Sequence, residues 1–549
     1  MVAWEIRLQV IRTASPFVDG AAPVVACVVQ ATGSHLDQAL VEATVGTFPV
    51  GRPFAFPGFV RVPVAAVVKE LDALPQQLGH GHGNNRFVDE ARSEYSRVNL
   101  SSDPIYRYLR ITKGGPGGVA GRAAEQDLVD AAWLQRLRRI HQLQSAWWVF
   151  ATAEHSRFQH ALGAMHLAGE WARHLYPSLK VSCGDVPSPQ LVEETMRIAG
   201  LLHDVGHGPF GHFFDENYLD TWGIDHEVVG RALITGPLAA PIGELGASPS
   251  ADFESGERID PLWVAYLISS AALGGFEPPP WLVVLRPALV GPFSADNMDY
   301  VPRDSYICGV SAGPVDVQRI IHYSFISERG LTLHAHGAEA LYMFLNSRLY
   351  LYHQVYFHRT VRRIDLQLRE VFRPTIELLL GGNPLEQLDR YLALTEWSLL
   401  SDVDRWARDS QDAQRRELGD AWAAVVARKL KWKLIYQGHT DARDIPSGAL
   451  SVTRDQFASR LRERLPTNLR DIAFEVDVAA QESRAFNPMT ETADILFYEP
   501  LEDSYRQSRV LDLFKRLPVR MALFRIFAHD ETHRHDLIKA ANEVLGLAT

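Results

Sequence analysis

The stretch Leu201–Asp215, LLHDVGHGPFGHFFD, decides how this chain is read. Fifteen residues hold three histidines and two aspartates, approached by an apolar run. His203 and His207 lie four apart, so a helix would place them on one face with Asp204 beside them. Gly206, Gly208 and Pro209 then break the helix, and His212 returns from a turn. Imidazole nitrogen and carboxylate oxygen suit first-row divalent metals, and a His–Asp pair leaves positions open for water and substrate. The remaining ligands must come from elsewhere in the chain.

Working outward, Glu154–Ala172 (EHSRFQHALGAMHLAGEWA) puts His160 at the head of an amphipathic helix. Ser294–Tyr306 (SADNMDYVPRDSY) offers Asp296 and Asp299. The order His, then His-Asp, then Asp, with gaps of about 40 and about 90 residues, supplies four N/O ligands for one metal. Such a site activates water near neutral pH and polarises a phosphoryl oxygen. Charge stabilisation then matters more than a nucleophilic side chain, so histidines and arginines near the metal are the groups to watch. His207, His212 and His226 are candidates for phosphate contact and for protonating a leaving oxygen. Asp215 and Glu227 could orient them. Arg157, one turn before His160, could clamp phosphate.

Helical spacing also marks Glu125–Leu143, Leu191–His203, His226–Leu233, Leu262–Leu273 and Leu341–Leu380. DPIYRYLRI (Asp103–Ile111) reads as a hairpin arm, and Asp494–Tyr498 and Arg520–Phe527 as strands. Residues 1–78 are richer in Val and Phe between Pro and Gly, with Val24–Gln30 and Phe54–Val62 as short strands and Gly79–Arg86 as a polar connector. The expected architecture is mainly α. It has a β-leaning N-terminal segment of unknown role (1–95), a helical core (96–390), and an α+β C-terminal lobe (391–549) suited to oligomerisation or regulation.

The ordered blocks DPIYRYLRI, LQRLRRIHQL, WWVFATAEHSRFQHALG, AGLLHDVGHGPFGHFFD, DHE (Asp225–Glu227) and DNMDYVPRDSY resemble the HD-domain phosphohydrolases. More narrowly, they resemble the deoxynucleoside triphosphate triphosphohydrolases typified by the sterile-alpha-motif and HD-domain protein. The resemblance covers about residues 100–370 and implies an HD-type helical core. It implies a metal held by His160, His203, Asp204 and Asp296, the D-x-x-D-Y pattern before Tyr300 selecting Asp296 over Asp299. His212 and His226 become the favoured catalytic histidines, with His207 and Asp215 close by. Arg157 and Arg348 match phosphate-binding positions, Gln142 and Leu143 sugar- and base-edge contacts, Tyr300 and Asp304 the surroundings of the sugar, and Tyr356 the aromatic that crowds its 2′ position. Asp130, Gln135 and Arg138, with His358 and Arg359, match positions that read an activating nucleotide at a subunit interface, which implies a homo-oligomer, dimer or tetramer. Two departures stand out: Asn297 occupies a position where the family carries a phosphate-contacting lysine, and Asn99 another lysine position.

Composition bounds the alternatives. The 549 residues are 46% hydrophobic and 22% charged, as in ordinary globular proteins, with a net charge of −11. That balance argues against a nucleic-acid coat or membrane-surface protein, so an anionic substrate needs a local basic pocket. Cys27, Cys183 and Cys308 are scattered and form neither a disulfide framework nor a metal site, which favours a reducing compartment. No secretory leader or membrane span is read, and a cytoplasmic location is expected. The leading expectation is cleavage of a dNTP to deoxynucleoside plus triphosphate. The metal would be Fe, Mn, Ni, Co or Zn, with room for a second ion such as Mg. The alternatives are another HD phosphohydrolase (nucleotide phosphatase, phosphodiesterase or single-strand nuclease) and a nucleotide sensor with a vestigial site.

Overall fold

The computed structural model describes residues 8–10, 27–29, 95–115, 119, 121–269, 273–291, 293–441, 453–482, 495–507 and 520–546. The chain divides into two compact units, Met1–Arg92 and Ser93–Thr549. In the first, β1 (Leu8–Val10) pairs antiparallel with β2 (Cys27–Val29), Leu8 opposite Val29. β2 lies within the stretch expected to be a strand there. Phe54–Val62 and Gly79–Arg86 lie outside the described residues.

The second unit is mainly α. Its centre is α1 (Arg157–Ser182), whose N-terminus is closed by a capping box between Ser156 and Gln159. Against it packs α2 (Pro189–Leu202), buried at every position from Leu191 to its end. A helix buried all round belongs to the middle of a core, and Ser188 caps it while Pro189 opens it. The short α3 (His212–Asn217) and α4 (His226–Thr235) follow. α5 (Ala295–Cys308), capped by Ser294, returns across α1. Gly163 makes that crossing close, since a Cβ there would stand 1.9 Å from Asp299 Oδ1. One apolar core runs through all of these, with Trp171, Phe210, Phe214, Phe344 and Phe372 fully buried.

α6 (Ala338–Leu351) passes through a π-helical turn at Tyr352–Tyr356 into α7 (Arg359–Leu379). The hairpin of α8 (Glu396–Asp409) and α9 (Ala413–Val426) packs on α7, where Trp422 Nε1 donates to Thr375 Oγ1 at 2.8 Å. Beyond it, three strands lie antiparallel: β7 (Lys433–Asp441), β8 (Phe474–Glu482) and β11 (Arg520–Ala528), with β11 in the middle. This sheet has its own small core around Phe457, Phe524 and Ile526. A second sheet runs β10 (Ser504–Gln507), β9 (Leu496–Glu499), β6 (Gly330–His334), β5 (Ser324–Ser327), so β9 pairs parallel with a hairpin from the helical core. The strands expected near Asp494–Tyr498 and Arg520–Phe527 are therefore β9 and β11. DPIYRYLRI forms the turn and second strand of a hairpin, β3 (Val98–Asp103) and β4 (Arg107–Thr112).

Two helical expectations change. Glu125–Leu143 is three short pieces, Glu125–Asp130, Ala132–Arg136 and the 3₁₀ turn Leu137–Arg139, broken at Ala131, which is extended (ψ 142°). The break turns Arg136 fully inward, where it meets three backbone carbonyls, those of His207, Tyr391 and Leu394. α2 ends at Leu202, before the histidines, so His203 and His207 do not share a helical face. Residues 203–211 are instead a turn, with Phe210 and Gly211 both at positive φ (65° and 54°).

Candidate metal centre

That turn splits the histidines into two groups. His203 faces back toward α1 and α5. Its Nε2 lies 3.1 Å from His160 Nε2 and 3.6 Å from Asp296 Oδ1, and His160 Nε2 lies 3.1 Å from the same oxygen. Donors about 2.1 Å from one ion stand about 3.0–3.5 Å apart, so these three fit a common metal. The outer nitrogens settle the tautomers: His160 Nδ1 meets Asp299 Oδ2 at 2.8 Å, and His203 Nδ1 meets the carbonyl of Gly200 at 2.8 Å. Each Nδ1–H is thereby used by the protein, which turns both Nε2 lone pairs toward each other, the arrangement that metal-ligating histidines show. Positive charge is demanded at that point. Burial opposes protonation of His160, yet bonds to Asp296 and Asp299 carry it up to about 10. Burial likewise opposes ionisation of Asp296, and the two histidines more than offset it.

Asp204 stands at the rim of this group. Its Oδ1 is 3.4 Å from His203 Nε2 and 3.3 Å from His207 Nε2, while Oδ2 accepts from Arg157 Nη1 at 2.5 Å. Buried as it is, Asp204 is held far below the usual carboxylate range by His203, then Arg157. Arg157 reaches it only because residue 211 is glycine; a Cβ there would stand 2.2 Å from the guanidinium. Asp299, in turn, accepts from His160, from Arg303 and from the Tyr106 hydroxyl, and burial yields to Arg303 in holding it at about 2.

The second group is His207, His212, Asp215 and His226. Asp215 Oδ2 lies 2.6 Å from His226 Nδ1, 3.3 Å from His212 Nδ1 and 3.8 Å from His207 Nδ1. Its donors are as close as in the first group, but its rings are not arranged for a metal. His207 and His226 stack 3.7 Å apart at 14°, and an ion in the plane of one imidazole lies out of the plane of the other. Its electrostatics favour a proton on one ring. Burial disfavours His226 as a cation, but Asp215 overrides this and raises it. Burial, then Arg157 and His226, push His207 well below its ordinary value. The two stacked rings are tuned in opposite directions, His226 toward the cation and His207 toward the neutral form. His212, on the first turn of α3, is the exposed member.

Near His160 lies a chain of hydrogen-bonded polar side chains. The Tyr300 ring is 6.4 Å from the His160 ring, centroid to centroid, and its hydroxyl accepts from Arg348 Nε (2.8 Å) and donates to Asn297 Oδ1 (3.1 Å). Tyr356 donates to Asp304 Oδ2 at 2.5 Å, and His155 Nε2 meets Asp304 Oδ1 at 2.8 Å. The backbone N–H of Gln142 donates to the carbonyl of His155, which places Gln142 and the buried Leu143 next in line, with Gln142 Oε1 buried and without a protein donor. Asn297 is buried and occupied with the Gly291 carbonyl and Ser294 Oγ as well as Tyr300, and adds no charge.

The five residues matched to an activator site are more dispersed. Gln135 and Arg138 bond each other on the surface, with Arg138 over the Phe158 ring, while Asp130 accepts from Gln126. His358 packs edge-on against Phe150 at the start of α7, beside the exposed Arg359. Sequence reading missed His155, Arg136 and Glu396. His155 stands within the quoted EHSRF and could have been weighed with its neighbours; the other two act only through contacts distant in sequence.

The HD domain family model matches residues 157–239, which contain the histidines of both groups but not Asp296. A chicken (Gallus gallus) relative, the deoxynucleoside triphosphate triphosphohydrolase SAMHD1, is 30% identical over 468 residues, covering 75% of this chain and 68% of its own. The chain belongs to the HD-domain phosphohydrolase superfamily. Within it the chain resembles SAMHD1 and is also 29% identical over 287 residues to the protein YwfO of Bacillus subtilis, covering 52% of this chain. The chain spans about half the length of the first curated relatives it matches, 57% in the Bacillus case. A crystal structure of a hypothetical protein from Aquifex aeolicus shares the fold, with a TM-score of 0.58 at 24% identity over 81% of this chain and all of that one. Among the described residues no helix is long and apolar enough to cross a membrane.

Proposed function

We propose that this HD phosphohydrolase is a dNTP triphosphohydrolase, releasing deoxynucleoside and intact triphosphate. The observation that carries this reading is the chain of polar side chains beside the metal donors, Arg348–Tyr300 next to Tyr356–Asp304–His155. It pairs a cation for phosphate oxygens with a carboxylate and an aromatic suited to a sugar. The name borne by the chicken relative supports the same substrate.

His160, His203 and Asp296 would hold the ion, with Asp204 completing the set by turning from Arg157. When bound, the ion supplies charge for the phosphoryl oxygens and an acidified water. Arg157, released by Asp204, and Arg348 bind phosphate oxygens. His212 delivers a proton to the leaving 5′-oxygen and regains one from His226, which is kept protonated by Asp215, whose carboxylate oxygen both imidazoles share. Neutral His207 keeps the stacked pair from carrying two charges. Tyr356 and Asp304 orient the sugar, and Gln142 and Leu143 border the base. The surface pair Gln135–Arg138, with Asp130, His358 and Arg359, belongs in this reading to an activator site between subunits of a homo-oligomer.

Asn297 favours a second reading. Its side chain is committed to Gly291, Ser294 and Tyr300, so the pocket has one fewer cation for a triphosphate than the family pattern and could serve a less charged phosphoester. Product analysis by ion-pair HPLC, with each dNTP and NTP plus Mn²⁺ or Mg²⁺, and with and without GTP, separates them. Deoxynucleoside plus intact triphosphate supports the first reading; mono- or diphosphate products, or turnover only of other phosphoesters, support the second.

A further inference from the structure

The turn between α2 and α3 carries His207 and ends on His212, yet it belongs to no regular element that could satisfy its backbone. Three of its polar groups are met instead by buried side chains from distant parts of the chain. Tyr391 donates its hydroxyl to the Gly206 carbonyl at 2.7 Å, and Arg136 Nη1 donates to the His207 carbonyl at 2.5 Å. The N–H of Phe210, itself at φ 65°, donates to Glu396 Oε1 at 2.8 Å. Glu396 is fully buried at the first position of α8, where the helix dipole favours a carboxylate. Its other oxygen meets His141 Nδ1 at 2.5 Å, and the His141 N–H lies 3.3 Å from Oε1. His141 is stacked on Trp147 and directly precedes Gln142. Burial would lower its pKa, but Glu396, and then Glu154, raise it instead.

We infer that Glu396 is a positioning residue for the reaction: its buried carboxylate clamps the His207–His212 turn to the His141–Leu143 segment, so that the two walls of the site keep one spacing. A residue outside the region matched by the family model, in the C-terminal part of the chain, thereby completes the site. An uncapped Phe210 N–H would leave a buried donor without a partner and release a backbone at positive φ, which persists only where its surroundings over-determine it. Of the metal donors, His160 and Asp296 sit on α1 and α5, and His203, which opens the turn, is held at its own end by the bond from Nδ1 to the Gly200 carbonyl rather than by this clamp.

The inference rests on the phosphohydrolase reading, and the test keeps the two apart. Wild type, Glu396→Ala, Glu396→Asp and Glu396→Gln, purified as the full-length holoenzyme, are compared by metal content, steady-state kinetics on dNTPs and on bis-p-nitrophenyl phosphate, and hydrogen exchange. Glu396→Ala should lower kcat about tenfold or more, as small misplacements of catalytic groups do. KM should stay within about twofold, since uniform binding is untouched, and metal content should match wild type. Amides 205–212 should exchange about tenfold faster while those of α1 do not. Glu396→Gln keeps an acceptor for Phe210 and should restore most of kcat. Wild-type exchange in 205–212 with unchanged kcat in Glu396→Ala would overturn the inference, and so would loss of metal and protection throughout the chain. Should the alanine variant fail to fold, Glu396→Asp takes its place, since the shorter carboxylate cannot reach both the Phe210 N–H and His141: wild-type kcat and wild-type exchange in 205–212 in that variant overturn the inference. If wild type hydrolyses neither substrate, the phosphohydrolase reading fails, and exchange in 205–212 still decides the role of Glu396.

Discussion

Two clusters of imidazole and carboxylate lie next to each other in this molecule, and their difference is a matter of ring orientation rather than composition. In one, His160 and His203 use Nδ1 on the protein and point Nε2 at a shared centre with Asp296. In the other, three histidines turn Nδ1 toward Asp215, and two of the rings stack. The first arrangement concentrates lone pairs and calls for a cation. The second shares a carboxylate among imidazoles and favours protonation of one ring over the other. Donor count alone would make both into metal sites; what the outer nitrogens bind separates them.

The largest effect expected follows from that contrast. His203→Ala removes a donor from the first cluster, so bound metal and turnover should vanish together, a fall of about a thousandfold or more in kcat if the ion supplies most of the charge stabilisation. Elemental analysis and kinetics on one preparation check it. His212→Ala, in the second cluster, should keep full metal while kcat falls by about 10²–10⁴, the range for a lost general acid. Metal loss in His212→Ala, or retained metal and activity in His203→Ala, would break the division between the clusters.

A smaller effect tests the proton assignment. Asp215 holds His226 above its ordinary pKa, so the imidazolium form persists upward in pH and is lost as pH rises through the raised value. Asp215→Asn removes that support, and the alkaline limb of the kcat profile should move to lower pH by about one unit or more. Stability carries its own sign. Asp215 is depressed in the folded protein, so its contribution is present above about pH 4 and fades as pH falls below it. Acid unfolding curves of the two proteins should therefore converge below about pH 4 and separate above it. An unmoved alkaline limb would take the proton off His226.

Much of the candidate site's placement was open to sequence reading because its parts sit in short blocks: His160 lies near the head of a helix, Asp296 follows a capping serine, and the glycines around His207 announce a turn. The separation into two clusters was not. Spacing of four between His203 and His207 suggests one face, and only the helix end at Leu202 sends them apart. Apolar periodicity through Glu125–Leu143 was real, since Leu128, Leu134, Leu137 and Ile140 are all buried. It could not reveal the break at Ala131, which exists to aim Arg136 at carbonyls more than 70 residues away. Glu396 was invisible for the same reason: its partners, Phe210 and His141, are 186 and 255 residues away.

The smallest effect concerns the chain of polar side chains beside the first cluster. If Tyr356 crowds the sugar, its ring and its hydroxyl do different things. The ring excludes a 2′ substituent, and the hydroxyl holds Asp304, which His155 also holds. Tyr356→Ala should lower the preference for dNTP over NTP about tenfold, since discriminating against one added hydroxyl by shape is worth about 10–100-fold. Tyr356→Phe keeps the ring and leaves Asp304 its bond to His155, so it should raise KM with little change in that preference. Metal content and the pH profile should stay at wild-type values in both, because neither histidine cluster bonds to Tyr356. A dNTP/NTP ratio unchanged in the alanine variant would return Tyr356 to packing against α5, and leave sugar selection to Asp304 and Gln142.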